Sequence, residues 1–340
     1  MNDITNAPAR VCWVLSDGKA GMEVQCRGLA EALGFDPIVK RIIMRRPWRW
    51  MPPLLITDPL TRTDPTADTL SPPWPDVLIA SGRQTVALSI ALRRQSGGRT
   101  FTVQVQNPAV DPTNFDVVVA PRHDRLSAAN AITTTGGLNL VTEARLAAAV
   151  AQFGTDYDHL PHPRVAVLIG GNSKVHRLSA AATRRLGAQL AALARNEGAG
   201  LMVTASRRTG AANIAILRQA LAGLSAVIWD GAGENPYYAF LALADSIVVT
   251  SDSVNMVSEA ATTGKPVFIV DLDGGSRKFR RFHATLREKG ITRPFAGTLD
   301  RWTYSSLSDT PDAANEIRRR MAARHALENA GSIDLSPTRG

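Results

Sequence analysis

Residues 164–174 read RVAVLIGGNSK. A run of β-branched and aliphatic residues that stops at a glycine pair is the pattern of a strand buried on both faces. Such strands belong to parallel sheets covered by helices. The next periodic segment, 179–195, spaces its apolar residues as a long amphipathic helix. The rhythm then repeats: strands are predicted at 201–205, 226–229, 246–250 and 266–270, and helices at 211–221, 236–244, 254–262, 276–289 and 312–327.

Upstream the pattern is the same. VCWVLS (11–16), DVLIA (76–80), 100–106 and 115–120 predict strands, with 37–44 and 131–135 as further ones. Helices are predicted at 22–33, where Gly34 is a natural stop, and at 84–94 and 146–153. The stretch 47–75 is too rich in Pro, Trp, Thr and Asp for a regular element, so a long surface excursion is expected there. GTDYDHLPHPR (154–164) has turn residues and no period, and is expected to be an interdomain linker. Alternation of strand and helix predicts an α/β protein of two Rossmann-like domains facing a cleft. The expected division is an N-terminal domain at 1–153, a C-terminal domain at 164–305 and a helix with tail at 306–340.

The chain has 340 residues, 39 of them Lys or Arg against 30 Asp or Glu, for a net charge of +9. That favours an anionic partner: a phosphate-bearing ligand, a membrane face or nucleic acid. No helix-turn-helix, zinc-finger or RNP pattern is present, which leaves nucleic acid the least supported. No stretch of about 18 residues is free of charges or breakers, and the N-terminus has no apolar signal region, so a cytoplasmic protein is expected. The two cysteines, Cys12 and Cys26, are too few for a zinc site or disulfide framework and are expected to be reduced core residues. No clustered metal ligands are visible, and neither metal nor cofactor is expected. The sequence does not specify an oligomeric state.

In open parallel sheets ligands bind beyond the carboxyl ends of the strands, so each loop after a strand is a candidate site. Ser16-Asp17-Gly18-Lys19-Ala20-Gly21 offers glycines for close backbone approach, Asp17 as a general base and Lys19 for a phosphate; the competing reading is a tight turn capped by Ser16 or Asp17. It is not a Walker A loop. Ser81-Gly82-Arg83 places Arg83 at a helix start, where it could clamp a carboxylate or phosphate. Pro121-Arg122-His123-Asp124 sets His123 beside a carboxylate that could orient it for proton transfer. Gly170, Gly171, Asn172 and Ser173 suit a diphosphate approached by backbone amides. Ser206 and Arg207, within TASRRT, add hydroxyls and cations. Ser251 and Ser253, at a strand end and a helix start, can hold phosphate oxygens. Glu259, inside the helix that follows, could accept two ribose hydroxyls; the competing readings are ordinary capping and a solvated face.

These residues carry a resemblance. VxWVLSDGKAG (11–21), SGR (81–83), APRHD (120–124), LIGGNSK (168–174), TASRRT (204–209), GENPY (233–237) and TSDSVNMVSEAxxTGKPV (250–267) resemble the mitochondrial-fission "elongated mitochondria" family over about residues 10–305. Its bacterial and plant members are described as nucleoside-diphosphate-sugar glycosyltransferases or epimerases. The second half is similar to the donor-binding domain of GT-B glycosyltransferases, such as the lipid-linked N-acetylglucosaminyl transferase of peptidoglycan synthesis. The resemblance implies that Gly170, Gly171, Asn172 and Ser173 meet the donor diphosphate, that Glu259 holds the ribose, and that 17–21 lie near the acceptor. The histidine commonly used as base in that first loop is missing here. Plant members are associated with recruiting a dynamin-like division protein.

The expected function is therefore transfer of a sugar from a nucleotide-diphosphate donor to an acceptor, for which a lipid-linked molecule is one candidate. Asp17, Lys19 and His123 would be catalytic and Gly18, Gly21 and Arg83 would bind substrate. The alternative is a non-catalytic adaptor that keeps a nucleotide-binding fold. Lys40, Arg41, Arg45, Arg46 and Arg49 interleave with Ile42, Ile43, Met44, Trp48 and Trp50, and no acid occurs between Asp36 and Asp58. Either this stretch lies peripherally on the inner face of an anionic membrane, or its tryptophans are buried and its arginines solvated. A second basic stretch, Arg277, Lys278, Arg280, Arg281 and Arg287, would add to the field or meet the donor's phosphates.

Overall fold

The computed structural model describes residues 10–229 and 231–333. The chain forms two compact units: one runs to Thr134 and resumes at Asp309, the other is Thr135–Ser308.

The first unit contains β1 (Cys12–Ser16), α1 (Ala20–Ala32), β2 (Ile38–Arg41), β3 (Val77–Ser81), α2 (Arg83–Gln95), β4 (Phe101–Val105), β5 (Val117–Pro121) and β6 (Ala131–Thr134). Its sheet is parallel, in the order β2-β1-β3-β4-β5-β6. Every residue of β1, β3, β4 and β5 is buried, as strands of a parallel sheet covered on both faces are.

The second unit contains α3 (Glu143–Phe153), β7 (Arg164–Ile169), β8 (His176–Arg177), α4 (Ala180–Glu197), β9 (Gly200–Ala205), α5 (Ala211–Leu221), β10 (Ala226–Ile228), α6 (Tyr237–Leu243), β11 (Ser246–Thr250), α7 (Val254–Thr262), β12 (Val267–Val270), β13 (Asp273–Gly274), α8 (Arg277–Glu288) and β14 (Thr292–Pro294). Its six-stranded sheet runs β10-β9-β7-β11-β12-β14, again parallel. β8 and β13 form a separate antiparallel pair of two residues each. The last helix, α9 (Asp309–Ile333), packs against α1 and β6 of the first unit.

The units are divided elsewhere than the loop composition implies. The chain passes from one to the other at Thr134–Thr135, not within 154–164. Leu146 and Phe153 of α3 pack into the second unit's core with Tyr157, Leu160 and Phe240. The Tyr157 and Phe240 rings meet edge to face at 5.1 Å. The aperiodic stretch 154–164 is therefore core-forming backbone rather than linker. Gly154–Tyr157 form a 3-10 turn, a single turn too short to show a period.

The excursion between β2 and β3 is folded onto the first unit through three short 3-10 turns, Trp48–Trp50, Pro53–Leu55 and Pro59–Arg62. A bridge between Met44 and Thr63 closes its base, and Trp48, Ile56 and Leu60 pack against the core around Trp13, Leu15 and Leu88. Cys12 and Cys26 are buried thiols. Burial pushes the Cys12 thiol up to about 12, which keeps it protonated.

Candidate functional site

Counted in chain order, the main strands of the second unit lie 3-2-1-4-5-6 across the sheet, the doubly wound arrangement whose topological switch point falls between the first strand and the fourth. Here those strands are β7 and β11, and they are neighbours. Loops leaving them run to opposite faces, which opens a crevice at their carboxyl ends.

Asp252 organises that crevice. Its side chain is fully buried. Oδ2 accepts from the Gly171 amide at 2.9 Å and pairs with Arg208 Nη1 at 2.7 Å; Oδ1 accepts from the Thr250 hydroxyl at 2.7 Å. Thr250 in turn accepts from the Gly170 amide at 2.7 Å. A Cβ on Gly170 would lie 2.2 Å from Asp252 Oδ1, and one on Gly171 2.2 Å from the Arg208 carbonyl oxygen. Only glycine permits this approach, which is why the pair follows β7.

The remaining residues of these loops interlock. Ser206 Oγ donates to the Gly170 carbonyl at 2.8 Å. The Asn172 amide donates to the Arg208 carbonyl at 3.1 Å and the Ser173 amide to the His176 carbonyl at 3.0 Å. All four amides of 170–173, expected from the sequence to face a diphosphate, are thus engaged by the protein itself. Lys174, Arg207 and Arg208 are among the exposed cations at this end of the sheet. Ser253 caps α7 by accepting from the Met256 amide at 3.3 Å. Ser251 Oγ accepts from the Leu272 amide at 3.0 Å, and its carbonyl lies 2.8 Å from His283 Nε2. A carbonyl only accepts, so Nε2 carries the proton. Burial holds the His283 pKa below the ordinary imidazole value.

Glu259 is buried in α7, not on a solvated face. The Tyr237 hydroxyl donates to its Oε2 at 2.6 Å. Burial pushes the carboxyl up to about 7, while the tyrosine bond acts in the opposite direction.

In the first unit the switch point lies between β1 and β3, which pair with Ser16 opposite Ser81. Asp17 follows β1 with its side chain buried, and its Oδ2 is paired with Lys19 Nζ. Its Oδ1 is buried with no hydrogen-bond partner, as is Ser81 Oγ on the neighbouring strand. Gly82, at φ +100°, makes room: a Cβ there would come within 3.0 Å of Asp17 Oδ2. Gly18 takes φ +82° and donates its amide to Ser16 Oγ at 3.1 Å. α1 starts at Ala20 with no side-chain cap, so neither Ser16 nor Asp17 caps it; Gly21 lies in its first turn. Arg83 is exposed, and its Nη2 donates to the carbonyls of Trp50 at 2.8 Å and Met51 at 3.2 Å. His123 is buried in a short turn after β5, its Nε2 3.9 Å from Asp124 Oδ1. β5 is three strands from β1, about 14 Å at ordinary strand spacing, so Asp17 and His123 do not share one catalytic contact.

The chain is matched along residues 20–321 by the family model described as mitochondrial fission ELM1. The chain belongs to that family. The Arabidopsis thaliana mitochondrial fission protein ELM1 is 34% identical over 276 residues, covering 74% of this chain and 65% of the plant protein. This chain therefore spans just under two thirds of that relative. An uncharacterised protein of Rickettsia prowazekii (strain Madrid E) is 27% identical over 284 residues, covering 72% of this chain and 79% of its own. Among solved structures, the UDP-GlcNAc 2-epimerase of Methanocaldococcus jannaschii, in complex with UDP-GlcNAc and UDP, superposes with a TM-score of 0.54 at 11% identity. That match covers 92% of this chain and 99% of the epimerase. The likeness is one of fold: this ELM1-family chain is an α/β protein of two Rossmann-like units, GT-B-like in type.

Asp252, Thr250 and Tyr237 were not singled out from the sequence, and Arg208, read with Arg207 as a phosphate-binding cation, pairs with Asp252. Asp252 stands in a Ser-Asp-Ser run that also reads as capping, and the one local hint is the glycine pair that makes room for it. Tyr237 precedes Glu259 by 22 residues, with no sequence signal joining them.

Proposed function

We propose that the second unit binds a nucleoside diphosphate sugar, and that the protein transfers the sugar to an acceptor hydroxyl. One observation carries this reading. The glycine loop, the 206–209 loop and the start of α7 converge on the crevice at the switch point, where open α/β sheets take their ligands. The positive end of the α7 dipole, together with Lys174 and Arg207, supplies positive potential for a diphosphate. Glu259 supplies a carboxyl for ribose hydroxyls. No metal is needed, because helix dipole and cations can stabilise the leaving diphosphate. A GT-B-like fold shared with an epimerase described in complex with UDP-GlcNAc supports the same ligand class. In the first unit, Asp17 is the candidate base for the acceptor.

The family's description as a fission protein favours a second reading, nucleotide binding without turnover. A thermal-shift screen of UDP-, GDP-, ADP-, dTDP- and CMP-linked sugars tests the ligand. A ligand at about 100 times its Kd should stabilise the protein by roughly 2.7 kcal/mol. Glu259→Ala should weaken binding of that ligand by about 1.5–3 kcal/mol, and Ser253→Ala by less. Release of nucleoside diphosphate in the presence of acceptors separates enzyme from adaptor. Parental affinity in both variants overturns the assignment.

A further inference from the structure

We propose that the excursion between β2 and β3 docks this protein onto the surface of an anionic phospholipid bilayer. Nine large apolar side chains are exposed among the described residues, and four lie within 43–55: Ile43 at 46%, Trp50 at 60%, Leu54 at 59% and Leu55 at 64%. They are not the loose residues of a mobile coil. The base of the excursion is closed by the Met44–Thr63 bridge, and the Arg45 amide donates to the Arg62 carbonyl at 2.9 Å. Trp48, Ile56 and Leu60 turn inward to the core, so the fold divides the tryptophans, with Trp48 as anchor and Trp50 displayed. Arg83 fastens the display by holding the Trp50 and Met51 carbonyls.

Along 37–57 the charged residues are all basic. Arg45, Arg46 and Arg49 are exposed, and no acidic residue stands between Asp36 and Asp58. The Arg46 guanidinium lies 5.1 Å from the centre of the Trp50 ring, which presents the indole and a cation together. A bilayer interface has this complement: indoles settle at headgroup depth, leucines reach the acyl boundary, and arginines meet phosphates. Beside Leu54 lies a cleft of about 450 Å³ whose walls mix Pro53, Ile56 and Ile90 with Asp58 and Arg94. A scatter of single exposed apolar residues needs no explanation, but four within 43–55, interleaved with exposed arginines, do.

The test is flotation of the full chain with vesicles of phosphatidylcholine, alone or mixed equally with phosphatidylglycerol, at low and high salt. Binding is expected with the anionic vesicles alone and should weaken with salt. Arg46→Ser with Arg49→Ser should lower partitioning about 25-fold, since each cation near such a surface is worth about five-fold; Arg45 is left in place because it braces the loop. Trp50→Ser with Leu54→Ser and Leu55→Ser should lower partitioning ten-fold or more, with melting unchanged because these side chains support no core. Brominated acyl chains should quench fluorescence of the parent, and Trp50→Phe should lose that quenching. The proposal is overturned if the parent ignores anionic vesicles at low salt, if neutral vesicles bind equally, or if the apolar triple variant floats like the parent. Nucleotide binding is measured without vesicles, so failure here leaves the donor assignment untouched.

Discussion

The hydroxyl of Tyr237, on α6, donates to Oε2 of Glu259, on α7, across 2.6 Å. The bond ties together two helices of the second unit and places a buried carboxyl where a ribose-binding acid is proposed. Burial of that carboxyl makes the site sensitive to pH.

Glu259 titrates near 7 when folded, above its ordinary value of 4.5, with burial as the main cause. The folded state therefore holds this proton more tightly than the unfolded chain. Stability from this group is present in full below pH 4.5 and is lost as pH rises through 7, by about 3 kcal/mol in all. Glu259→Gln cannot ionise. Urea titrations at acid and alkaline pH should show the variant gaining on the parent by about that amount as pH rises. A constant difference between the two proteins would show that the carboxyl does not titrate in this range.

Asp252→Asn should destabilise the second unit by about 3 kcal/mol. Three donors, from Gly171, Thr250 and Arg208, converge on the carboxylate. The amide offers one acceptor oxygen and turns a competing donor toward them. Arg208 is partly exposed, so most of the loss should come from the buried Gly171 and Thr250 donors. Chemical unfolding measures this; a loss below about 0.5 kcal/mol, as at an ordinary surface position, would remove Asp252 from its organising role.

Gly171→Ala should cost more than Gly210→Ala. At Gly171 the new methyl meets backbone at 2.2 Å, whereas at Gly210, with φ +79°, nothing lies within 4 Å. The second change carries only backbone strain, at φ 79° and ψ 148° in a region essentially reserved for glycine, about 1–3 kcal/mol. The first must push the 206–209 loop aside and should also disturb nucleotide binding. Equal melting temperatures for the two variants would contradict the close approach.

Asp17→Asn keeps the size of a side chain whose Oδ1 is buried without a partner, but removes its basicity. With Asp17 as base, turnover should fall by roughly 10²–10⁴ while donor binding survives. Parental turnover would eliminate Asp17 and move attention to His123.

Much of this molecule is local information. An unbroken apolar run such as RVAVLI buries both faces of a strand wherever it lies, and the 3.6-residue spacing of α4 or α7 marks a helix without knowledge of its neighbours. The strand–helix alternation, the loops after β1, β7, β9 and β11, and the family resemblance were therefore legible in the sequence. Periodicity reports how much of a residue is covered, and not by what. That Asp252 meets Gly171, 81 residues away, follows from β7 and β11 being neighbours, which depends on the handed crossovers of the whole sheet. The same holds for Gly82 against Asp17, for the strands between Asp17 and His123, and for Tyr237 on Glu259. The assignment of α3 to the second unit and α9 to the first, and the choice of which tryptophan is anchored and which displayed, were likewise decided by tertiary packing, because each depends on which apolar surface was left to cover.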